Sequence, residues 1–305
     1  MKSAAGQVAI LYLIVLVGFI CDKVKLFTET TARATVNLLL YIITPCIIID
    51  SFLKMEYSPA RARKFFLALG LMFLMHIIAI VMNLPFFRKK GGPHNPIYKY
   101  ASIYGNVGFM ALPLAKAVLG AKGVFYCSSG LIAFNVITFT HGIRVMAGDQ
   151  YKFDWKKLIL NPGVIGVAIG LPLFLLNVEV PTVIAQPISL IAGLNTAVAM
   201  LIFGTYLANT DLKTMFRVKE IYLVALLKLI ALPICCILLF REMGISGALL
   251  VACAISASVP SGNNTFMFSS KYGLDVGMAS KTVALVSVIS ILTMPVIIAF
   301  AQSMA

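Results

Sequence analysis

The chain has 305 residues, of which 60% are hydrophobic and 12% charged, and its mean hydropathy is +0.97. Soluble domains are about 45–50% apolar and about 25% charged, so the composition excludes a soluble protein and requires one embedded in a membrane. The net charge of +14 does not point to nucleic acid, because Lys and Arg fall between apolar runs rather than in one patch; they read as topology signals and contacts to lipid headgroups.

At about 20 residues per span, the length accommodates about ten helices. Apolar runs place them at 7–21, 34–53, 64–86, 98–119, 122–143, 157–176, 183–207, 219–240, 246–269 and 278–301. Barrel strands are not expected, since these runs lack the alternation of a strand that faces lipid on one side only. The first run has neither a basic leader nor a small-residue cleavage site. Cys21, Cys46, Cys127, Cys235, Cys236 and Cys253 form no CxxC and read as small packing residues, with no metal site expected.

Several polar residues interrupt the spans. Asp50, toward the end of the second, is a candidate proton or sodium site or an interfacial acid. His76, in the third, is a candidate proton relay or a packing histidine. In the fourth, the stretch "YGNVGFMALP" (104–113) places Gly105, Asn106, Gly108 and Pro113 where each weakens a helix. Asn135 and Thr138 share one face of the fifth span and are placed toward a common site. His141 and Arg144 repeat that spacing nearer the surface, where a headgroup contact is expected. Lys228 lies near the centre of the eighth span, where a charge is expensive and commonly functional; it would draw an anion, replace a coupling cation, or pair with a carbonyl.

The hydrophilic stretch "AGDQYKFDWKK" (147–157) divides the chain into halves, 1–148 and 149–305. Trp155 falls there as an interfacial anchor. An odd number of spans per half inverts the second half, the condition for an inverted repeat. With the N-terminus outside, the inner loops hold about twice the Lys and Arg of the outer ones, so both termini are expected outside. The expected location is the plasma (cell inner) membrane, crossed many times.

The fourth span of the second half answers the fourth of the first. "GNNTFM" (262–267) matches "GNVGFM" (105–110) as G-N-x-x-F-M, and "VPSG" precedes it. Paired Gly/Pro-interrupted spans are the strongest sequence pointer to a transporter's binding site. A helix broken in mid-membrane frees N–H groups at one half-helix start and C=O groups at the other's end. Asn106, Asn263 and Asn264 add amides without the cost of a buried charge. The candidate substrate site is therefore Gly105, Asn106, Gly108, Pro113, Asn135, Lys228, Pro260, Ser261, Gly262, Asn263, Asn264 and Thr265.

These motifs, with "NPGVIGVAIGLPL" (161–173), "LIFGTYLA" (201–208) and "ASVPSGNNTFMFSSKYG" (257–273), resemble the auxin efflux carrier family along essentially the whole chain. As in plant auxin carriers, an Asn is followed by a Pro seven residues on, Asn106 and Pro113. The second motif carries P-x-G and then F-x-F at Pro260, Gly262, Phe266 and Phe268. Thr265 stands where plant members often have Pro, Asn264 looks like bacterial members, and the long hydrophilic loop is absent. The resemblance implies a crossover-helix fold shared with bile acid/sodium symporters. It also implies a scaffold of spans 1, 2, 6 and 7, a moving transport domain of spans 3–5 and 8–10, and a homodimer formed through the scaffold.

No HExxH, GxSxG or paired intramembrane carboxylates occur, so no enzyme is expected, and without a P-loop ATP does not drive transport directly. The sequence thus predicts an all-α protein of ten transmembrane helices in two inverted five-helix repeats, with helices 4 and 9 broken. Its expected function is elevator-type secondary transport of a small organic anion or weak acid. No cofactor is expected, and the coupling ion is H+ or Na+. The candidate proton groups are Asp50 and His76; the sodium ligands would be freed carbonyls near Gly105 and Gly262 with Ser261, Thr265 and the Asn side chains. The alternatives are a sodium-coupled carrier like the bile acid symporters, and a membrane sensor or receptor built on a transporter-like fold.

Overall fold

A computed structural model describes residues 4–87, 92–148, 156, 159–209 and 212–305. Trp155 and the basic residues Arg88, Lys89, Lys90, Lys152 and Lys157, expected at the membrane surface, lie outside the described residues. The described residues are overwhelmingly helical, and the one pairing of β type among them is an isolated bridge.

In chain order the helices are α1 (Ala4–Lys23), α2 (Glu29–Leu53), α3 (Pro59–Met82), α4 (Asn95–Ile103), α5 (Val107–Leu119), α6 (Ala121–Ala147) and α7 (Pro162–Leu175). There follow α8 (Thr182–Ala208), α9 (Lys219–Glu242), α10 (Gly247–Ser258), α11 (Asn264–Lys271) and α12 (Val276–Met304). Six of these, α2, α3, α6, α8, α9 and α12, are long and apolar enough to cross a membrane. Leucines and valines that a soluble protein would bury point outward, among them Leu13, Val183, Leu190, Leu292 and Val296. Such outward-facing apolar surface has lipid as its solvent. The protein is a multi-pass membrane protein.

The interrupted stretches behave as their chemistry dictates. α4 stops at Ile103 and α5 begins at Val107; α10 stops at Ser258 and α11 begins at Asn264. Three wide π-type turns, Leu39–Ile43, Val107–Ala111 and Leu226–Ala231, each end two residues before a proline: Pro45, Pro113 and Pro233. A proline has no N–H for the carbonyl four residues back and its ring crowds that carbonyl, so the turn widens. A fourth such turn, Thr138–Gly142 in α6, has no proline behind it.

The described chain divides into two compact units: Met1–Gly70, Gly108–Ile132 and Lys156–Asn209 in one, Leu71–Val107, Ala133–Trp155 and Thr210–Ala305 in the other. In the first, α1 lies directly on α8. A Cβ on Gly204 would run into the backbone of Val15 and Phe19, and one on Gly18 into that of Leu201. This is the small-residue approach by which helices pack where apolar burial offers no gain over lipid. Asn161 starts α7 as a cap, its side chain accepting from Gly163 N at 2.9 Å, with Pro162 in the first turn. α7 then packs on α2 through Gly166 and Gly170, which face Pro45 and Phe52. Phe52, Phe65, Phe125 and Phe174 form one aromatic cluster, with centroids from 5.1 to 6.2 Å apart. In the second unit, α4, α9 and α12 share a core that includes Tyr98, Ala101, Ile221, Val224, Leu229 and Leu285.

Candidate functional site: two broken helices joined by a bridge

The second unit holds both breaks. At the end of α4 the backbone turns extended at Tyr104 (φ −99°, ψ 112°), and at the end of α10 it does so at Val259 (φ −61°, ψ 142°). The two extended pieces pair antiparallel at Gly105 and Ser261. Asn106 N donates to Pro260 O at 2.8 Å, and Gly262 N donates to Tyr104 O at 3.1 Å. The glycines permit this approach. A Cβ on Gly262 would sit 3.1 Å from Gly105 O; one on Gly105 would sit 2.8 Å from Val259 Cγ2 and 3.0 Å from Lys228 Nζ. Neither glycine has a positive φ, so close contact, not a left-handed backbone, requires them.

Breaking a helix orphans carbonyls at its C-terminal end, and a buried orphan costs about 1–3 kcal/mol. Here each break recruits a side chain. Ser261 Oγ donates to Ala101 O at 2.8 Å, closing the end of α4. Lys228 Nζ donates to Ala257 O at 3.0 Å, closing the end of α10. Lys228 is 1% exposed, and its ammonium lies against the negative end of a helix dipole, where a cation is favoured. The wide turn Leu226–Ala231 carries it.

The remaining candidates are distributed as follows. Asn106 is buried. Asn263 precedes α11 as its cap residue without a side-chain cap bond, and Asn264 and Thr265 form the first turn. Asn135 is buried on α6, beside Phe134, whose ring lies 6.2 Å from that of Tyr104. Gly108 and Pro113 fall in the first unit. Asp50, also in the first unit, is buried and paired with Lys54 Nζ at 2.8 Å; Lys54 in turn donates to Ser189 Oγ at 2.9 Å. His76 is buried, with Nδ1 2.7 Å from Met72 O and its ring 6.3 Å from Tyr104.

His141 differs from the sequence expectation of a headgroup contact: its Nδ1 is 2.8 Å from the Tyr104 phenol oxygen. Two tyrosines that the sequence reading did not single out lie at the end of α4, directly before the break. Tyr100 and Tyr104 stack with centroids 4.5 Å apart, and Gly142 lies flat against both rings. Their signal in the sequence is an aromatic pair at i, i+4 directly before the Gly-Asn break. Tyr100 lies close to Thr138 and Asn264. Even so, neither its phenol nor the Thr138 hydroxyl completes a hydrogen bond, and the Thr265 hydroxyl is likewise buried without a partner. Buried polar groups without a partner are few in folded proteins, and each calls for an explanation.

The protein is thus an all-helical membrane protein in which two interrupted helices are joined by an antiparallel bridge at Gly105 and Ser261. The chain belongs to the membrane transport protein family, that of the auxin efflux carriers, which it matches over residues 3–154 and 149–298. It is 23% identical over 296 residues to an uncharacterized transporter of Methanocaldococcus jannaschii, covering 93% of this chain and 94% of that one. It is 23% identical over 246 residues to a putative malonate transporter of Rhizobium meliloti, covering 76% and 75%. Auxin efflux carrier component 1 of Arabidopsis thaliana is 26% identical over 133 residues, 42% of this chain and 21% of the plant protein. The protein is a membrane transporter of this family.

Proposed function

We propose that the protein is a secondary transporter of a small organic anion or weak acid, and that the bridged breaks of α4/α5 and α10/α11 form its substrate site. The observation that carries this reading is Lys228, a buried cation 3.0 Å from where a Gly105 Cβ would stand and bonded to the end of α10. A carboxylate bound beside the bridge would meet this ammonium, the amides of Asn106, Asn263 and Asn264, and the N-terminal end of α11, which favours negative charge. The putative malonate transporter among the relatives makes a small dicarboxylate the first substrate to try.

The same reading takes the chain as ten membrane helices in two inverted repeats, working in the plasma membrane as a homodimer with both termini outside. Transport is of the elevator type, the crossover travelling with its bound substrate. Uptake of labelled malonate and of a panel of small carboxylates into proteoliposomes is the test. Saturable uptake with counterflow supports a carrier. Binding without flux favours a sensor, and non-saturating flux a channel. A sodium-coupled carrier is the second reading, favoured by the buried, unpartnered hydroxyl of Thr265 beside the bridge; sodium-dependent uptake at constant pH would establish it.

A further inference from the structure

Tyr104 occupies two places at once. Its carbonyl accepts from Gly262 N in the bridge, and its phenol reaches α6, where Ile137 O lies at 3.3 Å and His141 Nδ1 at 2.8 Å. These two partners compete. A phenol has one O–H to donate. With neutral His141 bare at Nδ1, that single hydrogen serves either His141 or Ile137 O, which also accepts from Thr140 Oγ1 at 3.2 Å; in the other neutral tautomer Nδ1–H donates to Tyr104 without the help of a charge. When His141 takes up a proton, Nδ1 becomes a donor. It then gives a hydrogen bond to the Tyr104 oxygen, and the phenol hydrogen turns to Ile137 O. Both contacts are then satisfied, and one of them is charge-assisted, roughly twice as strong as a neutral bond. One proton enters from solution and none leaves Tyr104.

We propose that His141 is a proton-binding switch whose protonation clamps Tyr104 and thereby stiffens the bridge between the two broken helices. The proposal rests on the crossover being the substrate site. It makes His141, rather than Asp50 or His76, the group through which protons act on that site.

The surrounding structure is built around this contact. The wide turn Thr138–Gly142 is the one such turn described that no proline explains, and wide turns of this kind mark functional positions. It advances His141 onto Tyr104 and lays Gly142 against the Tyr100 and Tyr104 rings, leaving no room for a side chain. The charged groups facing His141 are Lys99 of α4 and Arg144 of α6. α11, which packs on α4 and on the end of α6, has Lys271 as its one charged residue, and that ammonium lies over Tyr272. The second histidine on Tyr104 is His76 on α3, which holds Met72 O. No carboxylate of the described residues is among these groups, and the two that face His141, Lys99 and Arg144, are cations whose repulsion a proton on the imidazole must overcome. His141 is half-buried while Tyr104 is fully buried.

The test needs no substrate. Amide hydrogen exchange is measured on the purified protein in lipid nanodiscs between pH about 5 and 8, the range in which histidine titrates, with the chemical exchange rate divided out. In the wild type, peptides carrying the Asn106 and Gly262 amides should gain at least threefold protection as the pH falls. That gain should vanish in His141→Gln and in Tyr104→Phe, which keeps the stacked ring if the histidine variant does not fold. It should persist in His94→Gln and His76→Gln. Protection that does not change with pH in the wild type, or a change that survives in His141→Gln or Tyr104→Phe, overturns the switch. Loss of the response in His76→Gln moves the proton to that residue and equally overturns it. Because no ligand is present, failure here leaves the substrate-site reading standing, and normal uptake by the crossover Asn variants would sink that reading while leaving the switch intact.

Discussion

Replacing Lys228 by Met separates a structural from a functional lysine. The side chain keeps an unbranched, apolar four-atom stem and loses the ammonium. Two stability effects then oppose each other. The charged hydrogen bond to Ala257 O, at 3.0 Å, disappears, at a cost of about 1.5–3 kcal/mol. The burial of an ammonium only 1% exposed is also relieved, a penalty of several kcal/mol in real proteins. The terms are of similar size and opposite sign, so thermal unfolding of Lys228→Met should shift little, and upward if at all. Anion binding has no such compensation. Removing the cation that the described residues place at the bridge should weaken carboxylate binding at least tenfold, about 1.4 kcal/mol. The assay pairs malonate or best-carboxylate binding with thermal unfolding of the same detergent-purified sample. An unchanged affinity would refute the role of Lys228 in holding the anion. A large fall in stability would refute the cancellation.

Asn106→Leu and Asn263→Leu should each abolish uptake while leaving folded, membrane-inserted protein, checked by size-exclusion profile and proteoliposome flux; normal uptake by both would contradict the site. Gly204→Leu should destabilise the first unit by about 3 kcal/mol or more, because the added side chain meets Val15 backbone rather than a movable group; an unchanged unfolding temperature would count against the α1–α8 packing. Asp50→Asn breaks a pair whose Lys54 side chain is 50% exposed, so its effect on stability should stay below about 1 kcal/mol, and proton-driven uptake should survive it. Loss of pH-gradient-driven uptake in Asp50→Asn alone would return the coupling proton to that carboxylate.

The breaks in both helices were legible in the sequence because glycine, asparagine and proline act through the local backbone: Gly105, Pro260 and Gly262 fall in the gaps between helix halves, and Pro113 widens the turn that follows the first gap. Lys228 was legible as costly and therefore purposeful, since charge in an apolar run has few explanations. Its partner, Ala257 O, was not, because a main-chain carbonyl carries no sequence signature. The same holds for Ser261 and Ala101. For His141 the spacing pointed only to the membrane surface; its contact with Tyr104, made from the wide turn at Thr138–Gly142, was not legible, because no proline announces that turn. Tyr100 and Tyr104 read as ordinary apolar residues until the fold stacks them against the break.

The most direct measurement of the central claim is the position of a bound anion. Crystals grown with bromomalonate, or with a brominated form of whichever carboxylate binds best, would locate bromine by its anomalous scattering. The account predicts a peak beside the Gly105–Ser261 bridge, with the carboxylate turned to Lys228 and the Asn106, Asn263 and Asn264 amides; a fully occupied ligand elsewhere, with the bridge residues unliganded, would contradict it.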